Sequence, residues 1–167
     1  MSQMDSKEKK TVVGLFISIV VLLVIILIFS LVYIRASRPM RQARDEAVEL
    51  ANKHVSLKSV DRFYWFTREE TYFSLMAEDE KGKEIVVIIP KSGQEILILN
   101  QNEGITEKKA KSIIQKTFPN ETVKKVTLGV YQEQVVWEVM TKVSDEERYH
   151  LLDFNDGNLI KSIPTIE

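Results

Sequence analysis

The sequence of 167 residues contains no cysteine and only two histidines, His54 and His150. The absence of cysteine excludes disulfides, thiol nucleophiles and zinc sites built on Cys-x-x-Cys pairs. A metal centre would need both histidines together with carboxylates, and no metal-ligand spacing joins them. His54 ends the apolar face of an expected helix and His150 lies at alternating spacing in an expected strand, so we interpret both as structural. We therefore predict neither a metal nor a cofactor.

Charge of one sign is not in excess either, since 23 Lys and Arg residues balance 24 Asp and Glu residues, for a formal net charge of -1. Nucleic-acid binding relies on clustered basic side chains at the phosphates, so we expect no nucleic-acid partner. The sequence has no Gly-x-Ser-x-Gly nucleophile motif. The loop from Asp153 to Gly157 lacks the alternating ligands of a calcium site. These absences predict a protein that is not an enzyme and has no catalytic residues and no small-molecule substrate.

One long hydrophobic run lies near the start. Val12 to Ile34 are 23 consecutive uncharged residues, which span roughly 35 Å as a helix and suffice to cross a hydrocarbon core of about 30 Å. A signal peptide has an apolar core of only about 7 to 15 residues and a small-residue cleavage site, which is missing after Ile34. We therefore predict an uncleaved, single-pass anchor in the cell membrane.

The orientation of this anchor depends on its charged flanks. Three lysines precede the run and four arginines follow it: Lys7, Lys9, Lys10, Arg35, Arg38, Arg41 and Arg44. The positive-inside count therefore favours a cytoplasmic C-terminal side. We nevertheless predict a short cytoplasmic tail and an extracytoplasmic body, because the last two arginines fall in an expected folded helix and because of the family resemblance given below.

Beyond the run, one pattern of elements occurs twice. Pro39 is expected to break the helix, and a new amphipathic helix is predicted from Met40 to His54. Four strand-like runs follow: 60–67, 71–77, 84–89 and 95–99. A second helix is expected to begin at the N-cap Thr106 and to end near Phe118. Four more strand-like runs come after it: 123–130, 134–141, 148–154 and 158–163.

The two patterns align with each other. A shift of 64 residues pairs Ile88 with Leu152, and a shift of 63 pairs Val60 with Val123. We interpret this as one αβββ(β) unit duplicated in tandem, and we predict an α+β fold with antiparallel sheets. The predicted tail, anchor, linker, first unit and second unit are residues 1–11, 12–34, 35–39, 40–101 and 105–167.

Two segments of the second unit carry a family resemblance. Ile105 to Ala110, which opens its helix, and Asp153 to Ile160, which closes its strands, resemble a PepSY repeat. The first unit departs from this pattern, since Pro90 to Ile96 has no aspartate before the turn. The layout of short tail, single span and two such units is similar to the TseB (YpmB) family of Gram-positive bacteria. The resemblance implies a cystatin-like fold outside the membrane, and regulation of cell-wall (peptidoglycan) elongation through contact with a penicillin-binding protein.

Four consecutive aromatic residues mark the first strand: Phe63, Tyr64, Trp65 and Phe66. Alternate residues of a strand face opposite sides of a sheet, so both faces of this sheet need cover. We expect Phe63 and Trp65 to face the helix, and the opposite face to pack on the second unit or on a partner. Tyr64, Trp65, Phe66 and Tyr131 are the predicted candidate interaction surface.

The leading hypothesis is a non-catalytic binding module whose membrane tether raises its effective concentration near a cell-wall synthesis enzyme. Two other functions stay open. A PepSY-type peptidase inhibitor or chaperone-like module would pair an exposed edge strand with an extended segment of the peptidase. Binding of wall glycan or lipid would use exposed aromatic side chains as stacking platforms.

Overall fold

The structure is a computed structural model that describes residues 6–93 and 95–165, without the side chains of residues 6–10 and 35–37. Most of the predicted tail, residues 1–11, therefore lies outside the described side chains. The chain divides into two compact units, Met1–Gln42 and Ala43–Glu167.

Helix α1 runs from Ser6 to Asn52 and contains Pro39. The predicted helix break at Pro39 is therefore wrong. A proline inside a helix removes one backbone hydrogen bond and crowds the preceding turn, at a cost of about 3 kcal/mol. Residues 38–42 are exposed, so no tertiary packing is disturbed at the proline, and Met, Arg, Gln and Ala at positions 40–43 all have high helix propensity. The helix ends two residues earlier than predicted, and His54 is exposed beyond its end.

The apolar run of α1 is uncovered by protein. Every large apolar side chain between Val12 and Ile34 is exposed, from 43% for Ile25 to 71% for Phe29. Within the described residues, α1 is the one helix long and apolar enough to cross a membrane, with a mean hydropathy of 3.5 in its most apolar window. Exposing such a surface to water costs about 25 cal/mol per Å², so a hydrocarbon environment suits this segment.

The first sheet comprises strands β1 (Leu57–Thr67), β2 (Thr71–Asp79), β3 (Glu84–Pro90) and β4 (Leu97–Asn100), antiparallel and in that order. Its helix-facing side packs on the C-terminal turns of α1. Ala47 and Ala51 meet Leu75 and Val87 there, and all four are buried. The small alanine side chains let the helix approach the sheet closely.

The second sheet follows a short 3-10 helix (Gln101–Glu103) and helix α2 (Glu107–Thr117). Its strands are β5 (Thr122–Tyr131), β6 (Gln134–Val143), β7 (Glu146–Asp153) and β8 (Leu159–Pro164), again antiparallel and in order. The predicted α+β fold with two antiparallel sheets is confirmed.

The register corrects one detail of the internal alignment. Phe73 pairs with Ile89 on β3, and Trp137 pairs with Leu152 on β7. The second strands of the two sheets therefore correspond at a shift of 64, and the third strands at 63. The predicted equivalence of Ile88 and Leu152 in the internal alignment is therefore wrong. A shift of one residue places a side chain on the opposite face of the sheet.

Helix α2 begins as predicted at the N-cap Thr106, whose hydroxyl accepts a hydrogen bond from the backbone N–H of Lys109 at 3.2 Å. Removing this acceptor leaves an amide of the first turn without its partner. Thr106→Ala should therefore lower the free energy of unfolding by about 1 kcal/mol. Thr106→Ser, which keeps the hydroxyl, is the matched control in a chemical denaturation series, and an equal loss in both variants would contradict the capping role.

Candidate functional site

The four residues of the predicted interaction surface lie in two different environments. Tyr64, Phe66 and Tyr131 are buried, with 6%, 1% and 8% of their surface exposed, and Trp65 is half-buried. Trp65 meets Phe73 edge to face at 5.2 Å on the side of the sheet that faces α1. The predicted orientation of Trp65 is confirmed.

Tyr64, Phe66 and Tyr131 hold the two sheets together instead of presenting a free surface. The Tyr64 ring meets Trp137 of the second sheet edge to face at 5.5 Å. Phe66 joins Tyr131 and Val136 in a second buried cluster. Assigning these three aromatic residues to an exposed partner surface is therefore wrong, because packing between the sheets removes them from solvent.

The two sheets approach each other closely at Gly129 of β5, which lies against Phe66 of β1. A Cβ atom at position 129 would stand 2.2 Å from Cγ and 2.6 Å from Cβ of Phe66. Near this point the Ser74 hydroxyl donates to the carbonyl of Leu128 at 2.8 Å. Only a glycine allows the aromatic ring to lie directly on this strand.

An ion pair between Arg68 and Glu138 also joins the sheets. Arg68, in the β1–β2 turn, forms an ion pair with Glu138 of β6, and its guanidinium lies 4.3 Å from the centre of the Tyr149 ring. The Thr127 hydroxyl donates to the same carboxylate at 3.2 Å. Only 12% of the Glu138 side chain is exposed. This charge is therefore paired with the first sheet.

An open cavity of about 440 Å³ lies between the first sheet and the start of α2. Met76 gives it an apolar floor, and Gln101 and Thr106 line its end near the 3-10 helix. Ala77 and Ile85 also border the cavity, although they are buried in the cluster against α1. This is the size of a site for a small ligand. The cavity is the candidate functional site of the folded region.

Six charged side chains surround the cavity: Asp61, Arg62, Glu84, Glu107, Lys108 and Lys111. Glu107 accepts a hydrogen bond of 2.6 Å from the Tyr64 hydroxyl and lies 3.8 Å from the Arg62 guanidinium. Burial, and then the hydrogen bond and charge of Glu107, raise the pKa of the Tyr64 phenol. The phenol therefore stays protonated and fixes this carboxylate at the mouth of the cavity.

A second polar group is buried inside the second sheet. Glu121 Oε2 lies 2.7 Å from His150 Nε2 and accepts from the Thr141 hydroxyl at 2.5 Å. His150 Nδ1 lies 2.8 Å from the Ser162 hydroxyl, and its ring stacks on Phe118 at 4.2 Å. Burial tends to raise the pKa of Glu121, but the hydrogen bonds from Thr141 and His150 and the charge of Arg148 outweigh it and lower that pKa.

This group orders hydroxyl, imidazole and carboxylate as an acid–base relay does. Its histidine is 1% exposed, however, and both ring nitrogens are held by neighbours within the fold. We assign the group a structural role, as the sequence predicted for His150. Glu121 was not foreseen, because an Asn-Glu-Thr turn before a strand gives no sign that its acid points inward.

Two family descriptions match the folded region. "Cell wall elongation regulator TseB-like domain" covers residues 46–90, and "Peptidase propeptide and YPEB domain", the PepSY family, covers residues 104–163. The chain is therefore similar to a TseB-like domain over residues 46–90 and to a PepSY domain over residues 104–163. The predicted resemblance to the TseB family is confirmed.

Two relatives from Bacillus subtilis extend this match over most of the chain. The "Probable cell wall elongation regulator TseB" of strain 168 is 29% identical over 159 residues, which cover 93% of this chain and 98% of that protein. The solved structure of the "YpmB protein from Bacillus subtilis" has a TM-score of 0.63 and 28% identity, and covers 72% of this chain and 96% of that one. The similarity therefore includes the arrangement of the two sheets as well as the sequence.

Proposed function

We propose that this chain is a membrane-anchored, non-catalytic regulator of cell-wall elongation, whose folded region lies outside the membrane and contacts a penicillin-binding protein. The similarity to a relative named as a cell wall elongation regulator, over 93% of this chain, carries the regulatory role. The exposed apolar run of α1 supports the anchor. Confinement to the same membrane as the partner lets a weak interface suffice.

Exposed apolar side chains on β8 support a protein partner. Leu159 and Ile160 are 45% and 37% exposed on the last strand of the second sheet. They stand beside Lys161, whose ammonium donates to the Tyr131 hydroxyl at 3.2 Å. Adjacent apolar and basic side chains on an edge strand fit a contact that extends the sheet or covers its end. We propose this strand in place of the buried aromatic residues as the partner surface.

The role of the anchor is tested by replacement in the organism that carries the gene. A chain with an unrelated membrane helix in place of residues 12–34 should restore wall elongation to a deletion strain, because the helix supplies only confinement. The double variant Leu159→Ser with Ile160→Ser, in the otherwise native chain, should not restore it. Cell length and width are measured, with Lys116→Ser as the matched surface control. Failure of the helix replacement would show that recognition resides in the helix.

The extracytoplasmic orientation makes a prediction that the lack of cysteine makes easy to test. Ser92→Cys, on the exposed turn after β3, should react with a membrane-impermeant maleimide in intact cells from which the wall has been stripped. Ser2→Cys, in the predicted tail, should react only after lysis. The reversed pattern would agree with the arginines after the span and would contradict the proposed orientation.

A peptidase inhibitor is the second candidate, which the match to the peptidase propeptide family favours. An inhibitor would hold a peptidase segment along an edge strand such as β8. The full-length chain in nanodiscs, added to peptidases from the outer face of the same membrane, should leave their activity unchanged under our proposal. Stoichiometric inhibition that is lost in the Leu159→Ser with Ile160→Ser variant would favour the inhibitor instead.

A further inference from the structure

The cavity beside α2 separates its unpaired charges by sign. Asp61 and Glu84 belong to the first sheet, whereas Lys108 and Lys111 belong to α2. These four side chains form no ion pair with any other described residue. The cavity therefore has an acidic wall and a basic wall above its apolar floor.

A buried acceptor without a partner lines the same cavity. Gln101 is 5% exposed, and its Nε2 donates to the carbonyl of Ile105 at 3.4 Å. This contact fixes which end of the amide is nitrogen, because the reversed amide would bring two oxygens together. Its Oε1 is buried and accepts no hydrogen bond from the described residues. A buried acceptor of this kind is normally satisfied, and a donor from a ligand in the cavity would satisfy it.

We propose that the cavity binds a short zwitterionic peptide that carries a free ammonium group and a free carboxylate. The ammonium would lie at the acidic wall formed by Asp61 and Glu84. The carboxylate would lie at Lys108 and Lys111, near the positive end of α2. Gln101 Oε1 would accept from a peptide N–H, and the small side chains would rest on Met76. The volume of about 440 Å³ suits a ligand of this size.

Two sources share this chemistry, and the chirality of the residues distinguishes them. Peptides released from proteins contain L-residues, whereas bacterial wall peptides also contain D-residues. The probes are therefore L-Ala-L-Ala and D-Ala-D-Ala, with N-acetyl-L-Ala-L-Ala-amide as the uncharged analogue. Tighter binding of L-Ala-L-Ala would indicate peptides released from proteins, and tighter binding of D-Ala-D-Ala would indicate wall peptides. Either result supports the proposed site.

Calorimetric titration of the full-length chain in nanodiscs tests the proposal. We expect saturable binding of at least one free dipeptide, and binding about tenfold weaker for the uncharged analogue. Lys108→Gln with Lys111→Gln should weaken binding by about tenfold or more. Lys116→Gln, an exposed lysine on the same helix outside the cavity, should change it by less than about twofold.

The buried amide gives a variant that separates ligand binding from folding. Gln101→Met keeps the volume of the side chain and removes the unsatisfied acceptor, while the carbonyl of Ile105 keeps its bond from Trp137 Nε1 at 2.9 Å. The melting temperature of the free chain should stay unchanged or rise, and dipeptide binding should fall by about tenfold. No saturable binding of either dipeptide at about 10 mM, or equal binding by the uncharged analogue, would overturn the proposal. These measurements use no penicillin-binding protein, so their failure would leave the proposed function standing.

Discussion

Gly129→Ala should destabilise the folded region by about 1 to 3 kcal/mol, although it adds a single methyl group. The added Cβ would stand 2.2 Å from Cγ of Phe66, and Phe66 is 1% exposed and has no room to withdraw. Either the ring leaves its rotamer or β5 moves away from the first sheet. Chemical denaturation of the full-length chain, followed by tryptophan fluorescence, measures the loss.

A double-mutant cycle isolates this contact. Phe66→Ala alone should cost about 3 to 5 kcal/mol, as expected for a buried aromatic residue. The double variant should lose less stability than the sum of the losses of the two single variants, because removal of the ring makes room for the new methyl group. Lys124→Ala, at an exposed position of the same strand, is the control and should change stability by less than about 0.5 kcal/mol. Strict additivity of the Gly129 and Phe66 losses would contradict the direct contact.

Glu121→Gln should have a comparable effect, and one that depends on pH. The substitution removes the charge that Arg148 faces at 3.2 Å and disrupts the acceptor shared by Thr141 and His150. Breaking a buried pair by removing one partner typically costs about 3 to 5 kcal/mol. We expect a loss in this range near pH 7.

The direction of the pH dependence follows from the lowered pKa of Glu121. A carboxylate whose pKa is lower in the folded than in the unfolded state stabilises the fold above the unfolded value, which is near 4.3 for glutamate. That stability is lost as the pH falls through the folded pKa. The parent chain should therefore lose more unfolding free energy than Glu121→Gln between pH 6 and the acid limit. Equal losses in the two proteins would show that this carboxylate has no special role.

The periodicity of the sequence was sufficient to predict the fold because both sheets are built from local hairpins. Each strand pairs with the next one along the chain, so the apolar runs and their turns together determine the sheet order. The prediction of a helix break at Pro39 was wrong because a proline lowers the stability of a helix without necessarily ending it. In a long helix whose residues beside the proline are exposed, the helical conformation continues despite this free-energy cost. The predicted shift of 64 residues between the third strands, β3 and β7, was wrong. One residue fewer in the turn before β7 changes which residues face the helix, but Ile88 and Ile89 are both apolar, so the sequence gives no sign of the change.

The candidate site could not be predicted from the sequence, because it depends on how the two sheets pack against each other. The aromatic residues 63–66 were recognised as needing cover, but only the structure shows that Tyr64 and Phe66 obtain it from Trp137 and Tyr131 of the other sheet. Gln101 and Lys108 belong to a connection and a helix start that look ordinary in sequence. Their significance comes from lying beside the first sheet, at the cavity between that sheet and the start of α2.

Photo-crosslinking in intact cells tests most directly whether the folded region contacts a penicillin-binding protein. A photoreactive residue is placed in the full-length chain at Ile160, and at Leu97 and Lys116 as further exposed positions. After irradiation the membranes are labelled with fluorescent penicillin and the tagged chain is purified under denaturing conditions. We predict a fluorescent adduct at Ile160 that needs irradiation and disappears in the Leu159→Ser background. Labelled penicillin-binding proteins without an adduct at any of the three positions would contradict the account.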